Sequence, residues 1–217
     1  MGHRIIRNIV EELFDALYPK DIACFCCGRE IPHGTGGICD ACRTSLRSAR
    51  PYPPPKHLDG CVSAYDYDCP IKYAIQNLKY GRKTYLADIL GRLLPYDETL
   101  CAEWIIPVPL HPRRLRTRGF NQSEMLALAL SERTGIPVAK GLLKRTVYTE
   151  PQARLSGDER RKNLNGAFSC TETITSSTIL LVDDVITTGS TLSACAAELK
   201  RHGARRVFAC TVASAAD

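Results

Sequence analysis

The residues best equipped for chemistry lie in one run, Thr178-Ile-Leu-Leu-Val-Asp-Asp-Val-Ile-Thr-Thr-Gly-Ser-Thr191. Thr178 to Val182 is short, apolar and rich in β-branched residues, and it predicts a buried parallel strand ending at Asp183 and Asp184. Leu192 to His202 carries apolar residues at helical spacing, with Gly203 placed as the left-handed stop. A helix N-terminus offers unpaired N–H groups and a positive dipole end, which attract phosphate. Gly189 lets the backbone approach such a group, and Thr187, Thr188, Ser190 and Thr191 add hydroxyl donors. The two carboxylates repel anions; they suit vicinal sugar hydroxyls or a hard cation such as Mg2+. Phosphate, diol and metal at one strand end describe a 5-phosphorylated ribose. An ordinary βα turn with a helix cap is the plainer alternative. The acidic pair, with five such loop residues in register, argues against it.

A second constellation suits a metal. Cys24-Phe-Cys-Cys27 and Cys39-Asp-Ala-Cys42 are two CxxC knuckles, and two such turns complete a tetrahedral Zn2+ site. Gly28, Gly34, Gly36 and Gly37 supply tight turns. Cys26 offers a competing pair at odd spacing, so Cys24 and Cys27 are the preferred ligands of the first knuckle. Four cysteines leave no open coordination position, which makes the zinc structural rather than catalytic. Redox-active or simply buried thiols are the alternative.

A third group is basic. Trp104 to Ile106 predicts a buried strand, and Pro107-Val-Pro-Leu-His-Pro112 a turn that leads into Arg113, Arg114, Arg116 and Arg118. Near a strand end, guanidinium groups can hold a polyanion in bidentate fashion. A solvated face or a nucleic-acid patch would use the same residues. Asn121-Gln-Ser-Glu124 has capping-box spacing, and the helix it opens is stopped by Gly135. Lys79 and Arg82 close an earlier helix that Pro70 can open; taken alone they read as solvated helix-end cations.

The elements that must position these groups fit a chain of 217 residues, enough for one main domain and a small appendage. Residues 1–20 hold an amphipathic helix, with Ile5, Ile6, Ile9, Val10, Leu13, Phe14 and Leu17 on one face. Charged residues interrupt that stretch, so it is neither an export signal nor a membrane span, and a cytoplasmic location is expected. Eleven cysteines without an export signal argue against a disulfide framework. The zinc module occupies 21–50, a stiff proline-rich linker 51–57, and the main α/β domain 58–217. Within that domain Thr84 is placed to cap a helix running to Leu94. Residues 149–165 are polar and nearly free of periodicity, as in a lid or binding loop.

The run at 178–191 resembles the phosphoribosyl pyrophosphate (PRPP) motif of the type I phosphoribosyltransferases. The whole chain is similar to the ComF family, competence-associated proteins related to amidophosphoribosyltransferases. That resemblance rests on the CxxC/CxxC module, Leu78-Lys-Tyr-Gly81, Pro107-Val-Pro-Leu-His111, Arg118-Gly-Phe-Asn-Gln122, Thr149-x-x-Gln152-x-x-Leu155, Arg160-x-x-Asn163-x-x-Gly166-Ala-Phe168 and the PRPP motif, in that order. It implies a type I phosphoribosyltransferase fold, an open and mostly parallel sheet with helices on both faces. By resemblance, Asp183 and Asp184 contact the ribose diol, and Thr187, Thr188, Gly189, Ser190 and Thr191 cradle the 5′-phosphate. Val108, Pro109, Leu110 and His111 form the pyrophosphate loop, residues 149–165 close over PRPP, and residues 60–103 build a hood for the acceptor.

The implied reaction displaces pyrophosphate from C1 of PRPP, with Mg2+ on the leaving group and Lys79, Arg113, Arg118, Arg154 and Arg160 stabilising its charge. The hood that would read the acceptor carries no motif. Two function classes follow: a phosphoribosyltransferase with an unidentified acceptor, and a PRPP-sensing or single-stranded-DNA-handling factor that meets the DNA-uptake machinery. An excess of 29 basic over 23 acidic residues allows nucleic-acid contact without demanding it.

Overall fold

The computed structural model of the chain describes residues 22–32, 37–81, 83–147, 166–175 and 177–215. In chain order the elements are α1 (Asp40–Ser45), β1 (Gly60–Asp66), α2 (Ile71–Tyr80), α3 (Leu86–Arg92), β2 (Trp104–Pro107), α4 (Pro112–Arg118), α5 (Gln122–Thr134), β3 (Leu143–Arg145), β4 (Phe168–Cys170), β5 (Thr178–Ile186), α6 (Ser190–Arg201) and β6 (Arg206–Ser214).

The two most continuously apolar strands, β5 and β6, take the centre of a four-stranded parallel sheet of order β1-β6-β5-β2. Strands buried on both faces have no use for polar alternation. Helices cover the two faces. On one, α2, α3 and α5 pack on Leu180, Val182, Cys210 and Val212. On the other, α6 packs on Ile179, Leu181, Val207 and Ala209. Gly91 allows α3 and α5 to touch, because a Cβ there would collide with Ala129. This is the open α/β sheet the sequence implies. β3 and β4 form a separate antiparallel pair in which Arg145 lies opposite Phe168.

Four local expectations change. β5 continues past Val182 to Ile186, so the acidic pair sits inside the strand rather than after it; pairing with β6 persists at Val185–Ala213 and Ile186–Ser214. Gly60–Asp66 is an outer strand of the sheet, so a hood drawn from residue 60 loses its first segment to the sheet. Trp104 is half exposed, because β2 is the outer strand beside β5. The helix expected from Thr84 starts at Leu86 with no side-chain cap, and its first turn leans on backbone bonds to Lys83 and Thr84.

Pro107, in contrast, does belong to β2. The Ile105 N–H points away from β5, to the Pro137 carbonyl, while Val108 N–H donates to Val182 at 3.0 Å. The N–H that Pro107 lacks would lie on the outer side, where the ladder with β5 loses nothing.

The N-terminal module is joined to this core. Cys24, Phe25, Cys26, Ile38 and Cys42 share the buried cluster under α2, α3 and α5. Ser48 bridges Tyr65 of β1 in antiparallel fashion, and Ala49 N–H donates to Ala64 at 3.1 Å. The following proline-rich segment is pinned by Tyr52, whose hydroxyl lies 2.8 Å from Ser63 Oγ. The amphipathic stretch at 1–20, the loop at 149–165 and the loop arginines Arg154 and Arg160 fall outside the described residues. No helix among the described residues is long and apolar enough to cross a membrane.

Candidate functional site

The carboxylates sit where β5 loses its pleat. Val182 and Val185 both face the α2/α3/α5 cluster, while Leu181 and Ile186 face the other, so the alternation slips across the pair. The Asp184 N–H turns onto Asp183 Oδ1 at 2.9 Å. Each acid then has its own support from a different helix. The Ser123 hydroxyl, fully buried at the start of α5, donates to Asp183 Oδ1 at 2.7 Å. The Lys79 ammonium, at the end of α2, pairs with Asp184 Oδ2.

These supports divide the charge unequally. Asp184 is 3% exposed and holds Lys79. Burial works against the ammonium, but the Asp184 charge and hydrogen bond outweigh it and raise the Lys79 pKa. One lysine cannot offset two adjacent carboxylates. Burial and the neighbouring Asp184 charge push Asp183 up to about 7, with Ser123 and Lys79 pulling the other way. Lys79 is therefore not a solvated helix-end cation: its ammonium is paired with Asp184 of the acidic pair. Tyr67 stands close enough to feel both Lys79 and Asp184, and burial raises its pKa.

The turn after β5 leads directly into α6. Thr187 and Thr188 are exposed, Ser190 is buried, and the Thr188 and Ser190 hydroxyls lie 2.8 Å apart. Gly189 sits in the left-handed region at φ 69° and caps α6 without a side-chain hydrogen bond. Thr191 is half-buried in the first turn of α6. A Cβ at residue 189 would run into the Pro55 ring, so the close approach that requires glycine here is made by the proline-rich segment.

Val108, Pro109, Leu110 and His111 leave the neighbouring strand β2 beside this turn, since Pro107 is in register with Val182. The Val108 carbonyl accepts from Asn121 Nδ2 at 3.0 Å. His111 caps α4, its Nδ1 accepting the Arg113 N–H at 3.2 Å. Partial burial, then the surrounding arginines Arg113, Arg145, Arg116 and Arg114, lower its pKa. Arg113 is exposed. Arg118 bonds Gln122 and stacks on Tyr80, its guanidinium 5.4 Å from the ring.

Three residues join the site that the sequence did not point to. Asn121 reads as a helix cap and as part of the Arg118-Gly-Phe-Asn-Gln122 motif, and Ser123 only as part of the cap. Arg145 gave no signal beyond preceding a polar stretch. It stacks on Phe168 at 5.5 Å, and burial and Arg114 lower its pKa while Asp183 opposes that shift.

The four cysteines of the two knuckles converge as their spacing predicts. The Sγ atoms of Cys24, Cys27, Cys39 and Cys42 all lie within 4.8 Å of one another. Cys27 and Cys39 are 3.8 Å apart, which matches the edge, about 3.8 Å, of a tetrahedron with Zn–S bonds near 2.3 Å. Gly28 turns the first knuckle at φ 76°, and Cys39 and Cys42 flank and enter α1. Cys26 is 1% exposed and outside the group; burial, then the neighbouring thiols, push it up to about 12. Cys24 is also raised by burial, but backbone N–H groups around it outweigh that and bring it to about 6.

Residues 121–217 match the phosphoribosyl transferase domain family. DNA utilization protein YhgH of Escherichia coli O157:H7 is 32% identical over 212 residues, spanning 85% of this chain and 93% of that protein. Competence protein F of Haemophilus influenzae is 29% identical over 216 residues, spanning 85% and 93%. Competence protein ComFC of Bacillus subtilis is 23% identical over 200 residues, spanning 81% and 77%. A relative of this identity along nearly its whole length, together with a phosphoribosyl transferase domain that begins at Asn121 and takes in the acidic pair, shows that the chain belongs to the ComF family of competence-associated proteins.

Proposed function

We propose that the chain binds PRPP and transfers its phosphoribosyl group to an acceptor with release of pyrophosphate. The reading is carried by one juxtaposition. Adjacent parallel strands β2 and β5 deliver a proline-spaced loop and an acidic pair to the same carboxyl end of the sheet, in register at Pro107 and Val182, with the Thr187–Thr191 turn next along the chain. Asp183 and Asp184 accept from the ribose hydroxyls, the turn and the α6 N-terminus hold the 5′-phosphate, and Val108–His111 backs the pyrophosphate. The C1–O bond to pyrophosphate breaks as the acceptor's lone pair forms the new bond to C1. Pyrophosphate leaves with the bonding electrons.

Arg113, Arg114 and Arg145, gathered around His111, stabilise the charge that departs. Arg118 braces Tyr80 instead, and Arg154 and Arg160 remain candidates from the loop. Since Asp183 and Asp184 are engaged by Ser123 and Lys79, Mg2+ would be held chiefly by the oxygens of PRPP. Bound there, it neutralises the leaving group. The cysteine cluster holds Zn2+ as a structural ion. The names of the relatives, DNA utilization protein and competence protein, support a cellular role in competence and DNA uptake. They equally suit a second reading, a PRPP-sensing or single-stranded-DNA-handling factor that does not turn over.

A magnesium-dependent PRPP-consumption assay with a pyrophosphate readout, across candidate bases and amines, separates these. Pyrophosphate released in step with one acceptor establishes transfer. PRPP binding by titration without release supports sensing. No PRPP binding removes transfer and PRPP sensing and leaves the single-stranded-DNA-handling reading.

A further inference from the structure

The start of α5 touches both halves of the site. Asn121 uses its side chain twice: Oδ1 caps the helix by accepting the Ser123 N–H at 3.1 Å, and Nδ2 donates to the Val108 carbonyl at 3.0 Å. Two residues on, the Ser123 hydroxyl donates to Asp183 Oδ1 at 2.7 Å. Ser123 is 0% exposed, so its hydroxyl has no solvent to exchange this bond with. Gln122, also buried, bonds Arg118. The helix is anchored behind this turn: Leu126, Ala127 and Leu130 are buried, and Gly135 at φ 74° stops it. The turn is therefore a fixed body with one hand on the loop after β2 and the other on the strand end of β5.

We propose that the Asn121–Gln122–Ser123 turn is a coupling element that sets the spacing between the ribose-binding and pyrophosphate-binding halves of the site, with Ser123 the positioning residue for Asp183 and Asn121 that for the 108–111 loop. The inference rests on the PRPP reading and adds to it. One ligand carries both a vicinal diol and a polyanion at a set separation. Two loops from different strands meet that ligand without rearrangement only if something rigid holds them at the same separation. Local pairing does not: Val108 and Val182 share one backbone bond, and the carboxylates lie beyond it. The turn spans the gap with two directional side-chain bonds, each short enough to fix its partner within a few tenths of an ångström.

The test uses the full chain and three probes: PRPP with Mg2+, ribose 5-phosphate, and magnesium pyrophosphate. Ser123→Ala is expected to weaken PRPP and ribose 5-phosphate by about 10- to 100-fold, the worth of one hydrogen bond to a charged group. It should leave magnesium pyrophosphate binding unchanged, and Ser123→Thr should restore both losses. Asn121→Ser keeps a capping oxygen but cannot reach Val108. It should weaken PRPP and magnesium pyrophosphate and leave ribose 5-phosphate unchanged. Thermal melts alongside show whether each variant is folded. Equal losses on all three probes, or none on any, would overturn the coupling role while leaving PRPP binding in place. A wild-type protein that binds none of the three would overturn the PRPP reading itself.

Discussion

Lys79 and Asp184 form an ion pair across the gap between α2 and β5, and the pair is nearly closed to water: the side chains are 19% and 4% exposed. Removing the lysine would leave a buried carboxylate without its counter-charge. Lys79→Met is expected to destabilise the fold by about 3–5 kcal/mol, and Lys79→Met/Asp184→Asn to recover most of that. Urea melts of the two variants and the parent check it. Equal stability of single variant and parent would mean the pair contributes nothing to the folded state.

Asp183 makes the stability of the protein fall with rising pH. Burial and the Asp184 charge push its folded pKa up to about 7, above the ordinary aspartate value of 3.8. Between those values the folded chain holds a proton that the unfolded chain releases, so stability is lost as pH climbs through that window. Asp184, Lys79, Ser123, Arg145 and Cys195 all face this carboxyl. Asp183→Asn should remove the decline, by on the order of 1 kcal/mol or more between pH 5 and pH 8. Parallel melting curves for the two proteins over that range would show that Asp183 titrates normally.

PRPP affinity should run the opposite way, rising through pH 7 as Asp183 becomes an acceptor for the ribose hydroxyls. Asp183→Asn should lower affinity by about 10- to 100-fold at pH 8, through loss of a charge-assisted hydrogen bond. The deficit should shrink toward pH 5, where the parent carboxyl is itself protonated. Isothermal titration at three pH values gives the comparison, and a constant deficit would remove Asp183 from the ribose contact.

Metal analysis should find one Zn2+ per chain, retained in Cys26→Ser and lost in Cys39→Ser. Structural zinc contributes about 10–16 kcal/mol of apparent binding energy in zinc-finger peptides. Phe25 and Ile38 share the core cluster with α2 and α3, so the melting temperature of the whole protein should fall with the metal. Zinc loss in Cys26→Ser would reassign the first knuckle.

Much of this was legible because it is local. Gly135 and Gly203 stop helices where the apolar period ends, Asn121 announces a cap, and the CxxC spacing selects Cys24 and Cys27 over Cys26. The positions that were misjudged depend on partners far along the chain. Lys79 looks like any cation at a helix end until β5, a hundred residues later, places Asp184 against it. Ser123 looks like part of a cap because its hydroxyl's target is sixty positions away. The apolar run alone predicts a strand that ends at the acidic pair; pairing with β6 carries it on to Ile186. Spacing along a sequence reports what a segment prefers, and the site is assembled by what crosses between segments.

The contact of Pro55 with Gly189 bears on how deletion experiments should be interpreted. A shortened chain beginning at residue 58 would discard the cysteine cluster and, with it, the ring that backs the Thr187–Thr191 turn. Failure of such a fragment to bind PRPP would then confound loss of the metal with loss of the proline that packs on the turn. Cutting before Tyr52 keeps the wedge and its Ser63 anchor, and only that fragment can report what the zinc module itself contributes. Exchanges of N-terminal modules between relatives face the same seam. The functional join in this chain lies upstream of the prolines.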